Sequence, residues 1–287
     1  MIKVCACFLG LTLAVAGSAY ARSDAGVSKS EALPLRIQQD AEGLELPYVE
    51  LKVQGESRWF LLDTGAASTE VGDDGLSRGM SAVAEEQSQG VSGIAQTCSQ
   101  VRVDSLQLGS TELGPRTIRR CEHYLVGIDV LGMRSFTVDL RRGEWRTPVQ
   151  VAGPVRVPGV KRLARGHVGL SVGWGKVSAP AVFDTGANIT VADLTFVKAH
   201  PEAFEFLRPD HGEDANGQGI DSAVYRALKM RVGTWTLRNV DVSAFPFPPT
   251  LQKDLEGAPV ILGTNVIKRG IWSFDLEARQ GRVQPVP

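Results

Sequence analysis

Charge of one sign is missing from this chain: 31 Lys and Arg stand against 32 Asp and Glu, a formal charge of −1 over 287 residues. That balance removes the strongest sequence argument for binding nucleic acid. Aromatic residues make up only 7%, too few for their number alone to imply an aromatic-lined binding face. Cysteine is scarce, at four residues. None of the four lies at metal-ligand spacing with a His, so a zinc site is not expected. Long apolar runs are absent beyond the first 21 residues. No later segment approaches the roughly 20 residues a membrane-spanning helix needs. The remaining composition is ordinary for a globular protein, with 43% hydrophobic and 22% charged residues, which excludes a disordered or collagen-like chain. The length suggests about two core-forming units. The 31 glycines and 15 prolines suggest many turns and short strands.

The first segment reads as an address. Lys3 is followed by the apolar stretch Val4 to Ala16 and then by Ala19-Tyr20-Ala21. A basic start, an apolar middle and an A-x-A end form the pattern of a secretory signal. The stretch is too short for a transmembrane anchor. Cleavage after Ala21 would remove Cys5 and Cys7 and leave 266 residues with a formal charge of −2. The expectation is a soluble exported protein without membrane insertion, in a bacterial periplasm or secreted. Residues 22–44 read as a lead-in strand or a short pro-segment. Cys98 and Cys121 then remain as an even pair in an oxidising compartment, where a disulfide is expected. The competing reading is two unbridged small apolar side chains. His123, His167, His200 and His211 are scattered and read as surface or lightly buried residues.

The chain is written twice. Leu62-Asp63-Thr64-Gly65-Ala66 recurs as Phe183-Asp184-Thr185-Gly186-Ala187, and a Thr follows six residues after each Asp, at Thr69 and Thr190. Leu125-Val126-Gly127-Ile128-Asp129 recurs as Ile261-Leu262-Gly263-Thr264-Asn265. Twelve residues beyond each of those glycines stand Asp139-Leu140 and Asp275-Leu276. Between these landmarks each copy carries a polar glycine-containing stretch, Gly90 to Gly93 and Gly217 to Gly219, then an alternating run. Strands at Tyr48–Val53 and His167–Val172 alternate at period two, with hairpin turns at Gly55-Glu56 and Gly175-Lys176. Helices are expected over Ser81–Gln87 and Leu194–Leu207, the second interrupted by Pro201. The Pro- and Arg-rich stretch 146–165 reads as a linker between a first lobe, 45–145, and a second, 166–287. Asp139 and Asp275 read as hairpin-turn residues, and Arg116, Arg119 and Arg120 as a solvated loop.

The apolar-Asp-Thr-Gly run has a definite physical sense. A buried strand ends at the acid, and Gly lets the backbone turn sharply just after it. One copy is an ordinary turn sequence. Two copies in a duplicated chain can be brought together by a pseudo-two-fold axis, where the two carboxyls share one proton. The ionised member can then take a proton from water while the protonated member polarises a carbonyl.

On these paired motifs the chain resembles the pepsin and retropepsin type of aspartic protease, in a single-chain, two-lobed form. The resemblance spans about Leu46 to Val283. It implies an all-β fold of two closed barrel lobes with short helices, and Asp63 and Asp184 as the catalytic pair. It implies loop support from Thr64, Gly65 and Ala66 and from Thr185, Gly186 and Ala187, with the threonines bonding across the axis. Gly127 and Gly263 would pack beside the active loops, and flaps would lie near Gly93 and Gly217. It implies a polypeptide substrate, a monomer, and no metal or cofactor. A catalytically inactive peptide-binding module of the cell envelope is the alternative. The chain departs from the pepsin pattern in lacking a Tyr between Thr69 and Cys98 and in carrying Ala66 and Ala187 where a hydroxyl is usual. The copies are also unequal: 64 residues separate Asp63 from Gly127 and 79 separate Asp184 from Gly263.

Overall fold

The computed structural model describes residues 2–3, 31–39, 43–214 and 216–286. Apart from Ile2 and Lys3, the leader segment with its cleavage point, Cys5 and Cys7 lies outside the described residues. Among the described residues strands account for 56% and helices for 10%, in the all-β two-lobed architecture expected. Among the described residues no helix is long and apolar enough to cross a membrane.

Each lobe is built on the same hairpin. In the first, Glu45–Val53 pairs antiparallel with Glu56–Leu62 around Gln54 and Gly55. In the second, Val168–Trp174 pairs with Val177–Phe183 around Gly175 and Lys176. The inward apolar residues of these strands, Val49, Leu51, Val53 and Phe60 against Val168, Leu170, Val172 and Phe183, are buried in the core. The outgoing strand of each hairpin carries its Asp-Thr-Gly run off the end. It is flanked there by a short parallel strand, Leu125–Val126 in one lobe and Val260–Leu262 in the other.

A third sheet joins the lobes. Ser135–Asp139 of the first half lies antiparallel to Gly270–Asp275 of the second, with Phe136 opposite Phe274 and Val138 opposite Trp272. Glu144–Thr147 and Glu31–Gln39 extend this sheet on one side, and Gln280–Pro285 on the other. Residues 31–39 therefore form a nine-residue strand that also pairs with Glu45–Val53. Phe136, Phe183, Trp272 and Phe274 form an aromatic cluster, with Phe136 stacked on Trp145 at 4.4 Å. All five rings are buried, so the halves are held by shared core as well as by shared strands. Asp139 and Asp275 do hold turns, accepting backbone N–H bonds from Arg141 and Arg142 and from Ala278.

Three expectations need correction. Ser81–Gln87 is not helical: Ala82–Gln89 is a strand, paired antiparallel with Ala95–Val103. Its Ala, Glu and Gln favour helix, but local propensity is a weak term that cross-strand pairing overrides. The helix from Leu194 stops at Ala199, and Phe204–Glu213 is a strand. Pro201 disfavours helical backbone at His200, which sits at φ −130° and ψ 57°. Arg119 is not solvated. It lies on the strand Arg116–Cys121, 3% exposed, with its guanidinium 3.0 Å from Glu70 Oε1 and 3.5 Å from Glu86 Oε1, and it donates to Ser88. Burial pushes the Glu70 carboxyl up to about 7 although Arg119 pulls the other way.

Cys98 and Cys121 form the disulfide, tying one arm of the first long hairpin to the strand that precedes Leu125. The bridge closes a span of sequence separation 23, for which chain entropy gives a stabilisation of about 3 kcal/mol. Replacing both cysteines by Ala is expected to lower the unfolding free energy by about that amount. Denaturant titration under oxidising conditions measures it, and a loss indistinguishable from zero would show that the bridge does not constrain the unfolded chain.

Candidate active site

Asp63 and Asp184 leave the ends of their hairpins at the seam between the lobes. Each backbone N–H is fixed by the neighbouring short strand, Asp63 to the Val126 carbonyl at 3.1 Å and Asp184 to the Leu262 carbonyl at 3.0 Å. The next residues are exchanged. Thr64 Oγ1 donates to the Phe183 carbonyl and accepts from the Thr185 N–H; Thr185 Oγ1 donates to the Leu62 carbonyl and accepts from the Thr64 N–H. Each threonine thus ties its own loop to the strand of the other lobe.

The glycines that follow have no room for a side chain. A Cβ on Gly65 would overlap the Asp184 carboxyl, and one on Gly186 would overlap that of Asp63. Gly65 N–H donates to Asp63 Oδ1 and Gly186 N–H to Asp184 Oδ1, each at 2.8 Å. The carboxyl of either lobe therefore rests on the glycine of the other. Both acids are wholly buried, and their side chains are hydrogen-bonded to one another. Burial raises both carboxyls above the ordinary Asp range, and at Asp63 the charge of Asp184 adds to it; N–H bonds from Gly65, Gly186 and the two alanines act in the opposite direction. Asp63 Oδ2 and Asp184 Oδ2 have no hydrogen-bond partner among the described residues apart from what passes between the two acids.

The conserved spacing between repeats has a structural cause. Thr69 Oγ1 donates to Asp129 and accepts from the Gly127 N–H; Thr190 Oγ1 donates to Asn265 and accepts from the Gly263 N–H. The residues after those glycines donate back to the active loops, Ile128 to the Ala66 carbonyl and Thr264 to that of Ala187. Every repeated landmark near the acids thus supports an active loop. Gly93 and Gly217 lie at the tips of the two long hairpins, both with positive φ. Those tips meet, since Ser92 donates to Asp214 from both its N–H and its hydroxyl. Tyr225 stands on the strand leaving the second tip, packed edge-on against Phe206. Among the described residues no cluster of three or more His, Cys, Asp or Glu could hold a metal.

His167 departs from its sequence reading. It is completely buried, and its ring lies against the backbone of Gly65 in the opposite active loop. Continuing the pairing of Val168 with Phe183 by one step places His167 opposite Asp184. Extending the pairing of Tyr48 with Leu61 by two steps in the first lobe places Leu46 opposite Asp63. Nothing in the sequence marked this histidine, because its neighbours follow the ordinary alternation of a strand. Burial drops its pKa to about 4, with the Arg165 charge adding to the effect, while the nearby Gly65 backbone opposes it.

The aspartyl protease family model matches residues 168–266, which contain the second Asp-Thr-Gly run. The crystal structure of an aspartic proteinase from Irpex lacteus has the same fold, at a TM-score of 0.58 and 13% identity. That match covers 90% of this chain and 98% of that one. No curated protein matches the sequence. The family match and the shared fold support the aspartic protease resemblance carried by the paired motifs.

The buried histidine makes stability depend on pH. Unfolded, His167 binds a proton near 6.5, and folded only near 4, so its contribution is complete above 6.5 and is lost as pH falls through that window. Relative to His167→Leu, the wild type is expected to lose about 3 kcal/mol between pH 7 and pH 4. Parallel urea titrations of the two proteins measure it, and curves of equal slope against pH would place His167 in contact with solvent.

Proposed function

We propose that the chain is an aspartic endopeptidase that hydrolyses polypeptides with a water molecule activated by Asp63 and Asp184. The observation that carries this reading is the meeting of two buried carboxyls, one from each lobe, with both pKa values raised. Two such groups in contact share a single proton; the shared-proton logic of the aspartic protease pair is general to that class of enzyme. The ionised carboxyl accepts a proton from water as its oxygen attacks the peptide carbonyl carbon. The protonated carboxyl gives its proton to the carbonyl oxygen, leaving a neutral gem-diol. One diol proton returns to the carboxyl that protonated the carbonyl, while the carboxyl that took the proton from water gives it to the nitrogen, and the C–N bond breaks. The pair ends as it began, and no covalent enzyme intermediate forms. Thr64, Thr185, Gly65 and Gly186 position the two acids, and Ala66 and Ala187 contribute backbone N–H groups but no hydroxyl.

Both halves of the pair come from one chain, which supports a monomeric enzyme. The leader pattern and the bridged Cys98–Cys121 pair support an exported protein, in the periplasm or secreted. The unequal hairpins support a groove whose two sides differ.

Asp63→Asn and Asp184→Asn are each expected to lower peptide hydrolysis by at least about a thousandfold with the fold retained, because each removes one member of the proton relay. With both carboxyls raised, the singly protonated pair forms only as pH rises past the usual carboxylate range. Activity is therefore expected to climb through mild acid and to peak toward neutrality. Cleavage-site mapping on a peptide pool by mass spectrometry, across pH and with a pepstatin-type inhibitor, supplies both readouts. Tight peptide binding with no cleavage in the wild type would identify an inactive binding module; an optimum in strong acid would contradict the raised pair.

A further inference from the structure

The repeat that places Leu46 and His167 opposite the two acids is broken one residue earlier. Glu45 precedes Leu46, and its carboxyl lies 3.1 Å from the Lys268 ammonium. Lys268 stands five residues after Gly263, just past the short helix Thr264–Ile267, and Thr264 Oγ1 donates to the Glu45 carbonyl. At the matching places in the other half, the residue before His167 is Gly166. The residue five after Gly127, just past the helix Ile128–Leu131, is Gly132. Both members of the ion pair are glycines there, with positive φ of 99° and 59°. A Cβ on Gly166 would come within 2.7 Å of the Ile128 side chain.

Where those two side chains are missing there is a cavity of about 410 Å³, bounded by Ala67, Ile128, Gly132 and Gly166. Ala67 stands four residues beyond Asp63, and Gly166 adjoins the residue opposite Asp184, so the cavity neighbours the acid pair along both segments that hold it. Its charged lining is mostly of one sign. Arg134, Arg162 and Arg165 face a single acid, Asp129, whose Oδ1 already accepts from the Thr69 hydroxyl. Arg165 is engaged by Asp254 at 3.0 Å. Arg134 lies 3.5 Å from Glu277 with both side chains largely in solvent, a pair of little worth that a better partner can replace. Arg162 donates to the Met133 carbonyl and meets no carboxylate among the described residues. A guanidinium has five N–H groups, so that bond leaves others to give, and its planar fork matches a carboxylate.

We propose that this cavity recognises an acidic side chain of the substrate: an Asp or Glu of the polypeptide, held by Arg134 and Arg162, takes the place that Glu45 fills on the other side of the acid pair. The proposal rests on the proteolytic reading and names the substrate class. Because the cavity occurs on one side only, the preference falls at one fixed position relative to the scissile bond.

The test reads binding apart from cleavage. An amidated, randomised peptide pool is passed over immobilised Asp184→Asn chain, and the retained peptides are sequenced by mass spectrometry; the wild type is given the same pool to cleave. Asp or Glu is expected at one position at about tenfold or more over its share of the pool. Adding Arg162→Glu should abolish that enrichment and favour Lys or Arg at the same position, a reversal that a merely structural role for Arg162 would not produce. Arg134→Glu, at a mostly exposed site, is a second variant expected to act in the same direction. No retention, retention without an acidic preference, acidic residues enriched evenly along the peptides, or a preference unmoved by both arginine variants would overturn the proposal. Arginine-dependent retention by a chain whose wild type cleaves no peptide would leave the carboxylate site standing and remove the proteolytic reading instead.

Discussion

Two carboxyl groups that repel one another are pressed together at the seam of the molecule, and most of its symmetry serves that contact. Desolvation pushes both acids toward protonation, and at Asp63 the charge of Asp184 adds to it. Opposing them are the exchanged threonines, which make two hydrogen bonds to carbonyls and two from N–H groups across the lobes. At about 1 kcal/mol net for each, these bonds give roughly 4 kcal/mol, enough to set geometry but small beside the cost of two buried charges. The contact is therefore tenable only with a proton between the acids. That same proton makes the pair at once an acid and a base.

The two lobes repeat the backbone of the site and differ in its surroundings. Glu70 pairs with Leu125 where Val191 pairs with Ile261, and Arg119 lies beside Glu70 where Ser243 lies beside Val191. One lobe thus holds a buried ion pair at the place where the other carries no charge. Leu46 and His167 occupy matching places opposite the two acids, with the histidine against the Gly65 backbone. Equal carboxyls in unequal settings separate in proton affinity, so the duplicated scaffold yields a pair with distinguishable members. The hairpin tips are unequal as well: one supplies Val91 and Ser92, and the other supplies Asp214.

Much of this site was legible in the sequence because its requirements are local. A carboxyl at the end of a core strand, a glycine with no space for Cβ and a threonine six residues later are each fixed by chain neighbours, and duplication shows them twice. Gly127 and Gly263 were legible for the same reason. What stayed hidden depends on partners distant in sequence. Ala82–Gln89 carries helix-favouring residues, and only pairing with Ala95–Val103 makes it a strand. Arg119 looks like one of a basic cluster until Glu70 and Glu86 are beside it. His167 follows a strand's alternation, and Ser92 and Asp214 are ordinary turn residues whose bond spans 122 positions. No local pattern encodes such contacts.

The sharing of one proton by Asp63 and Asp184 is best tested by carbon NMR of protein labelled at the Asp carboxyl carbons, titrated from pH 3 to pH 9. Two resonances should move together through apparent pKa values belonging to the pair, with one proton retained well above the ordinary Asp range, and Asp184→Asn should abolish that coupled titration. Two carboxyl signals that titrate independently near the ordinary Asp value would contradict the account at its centre.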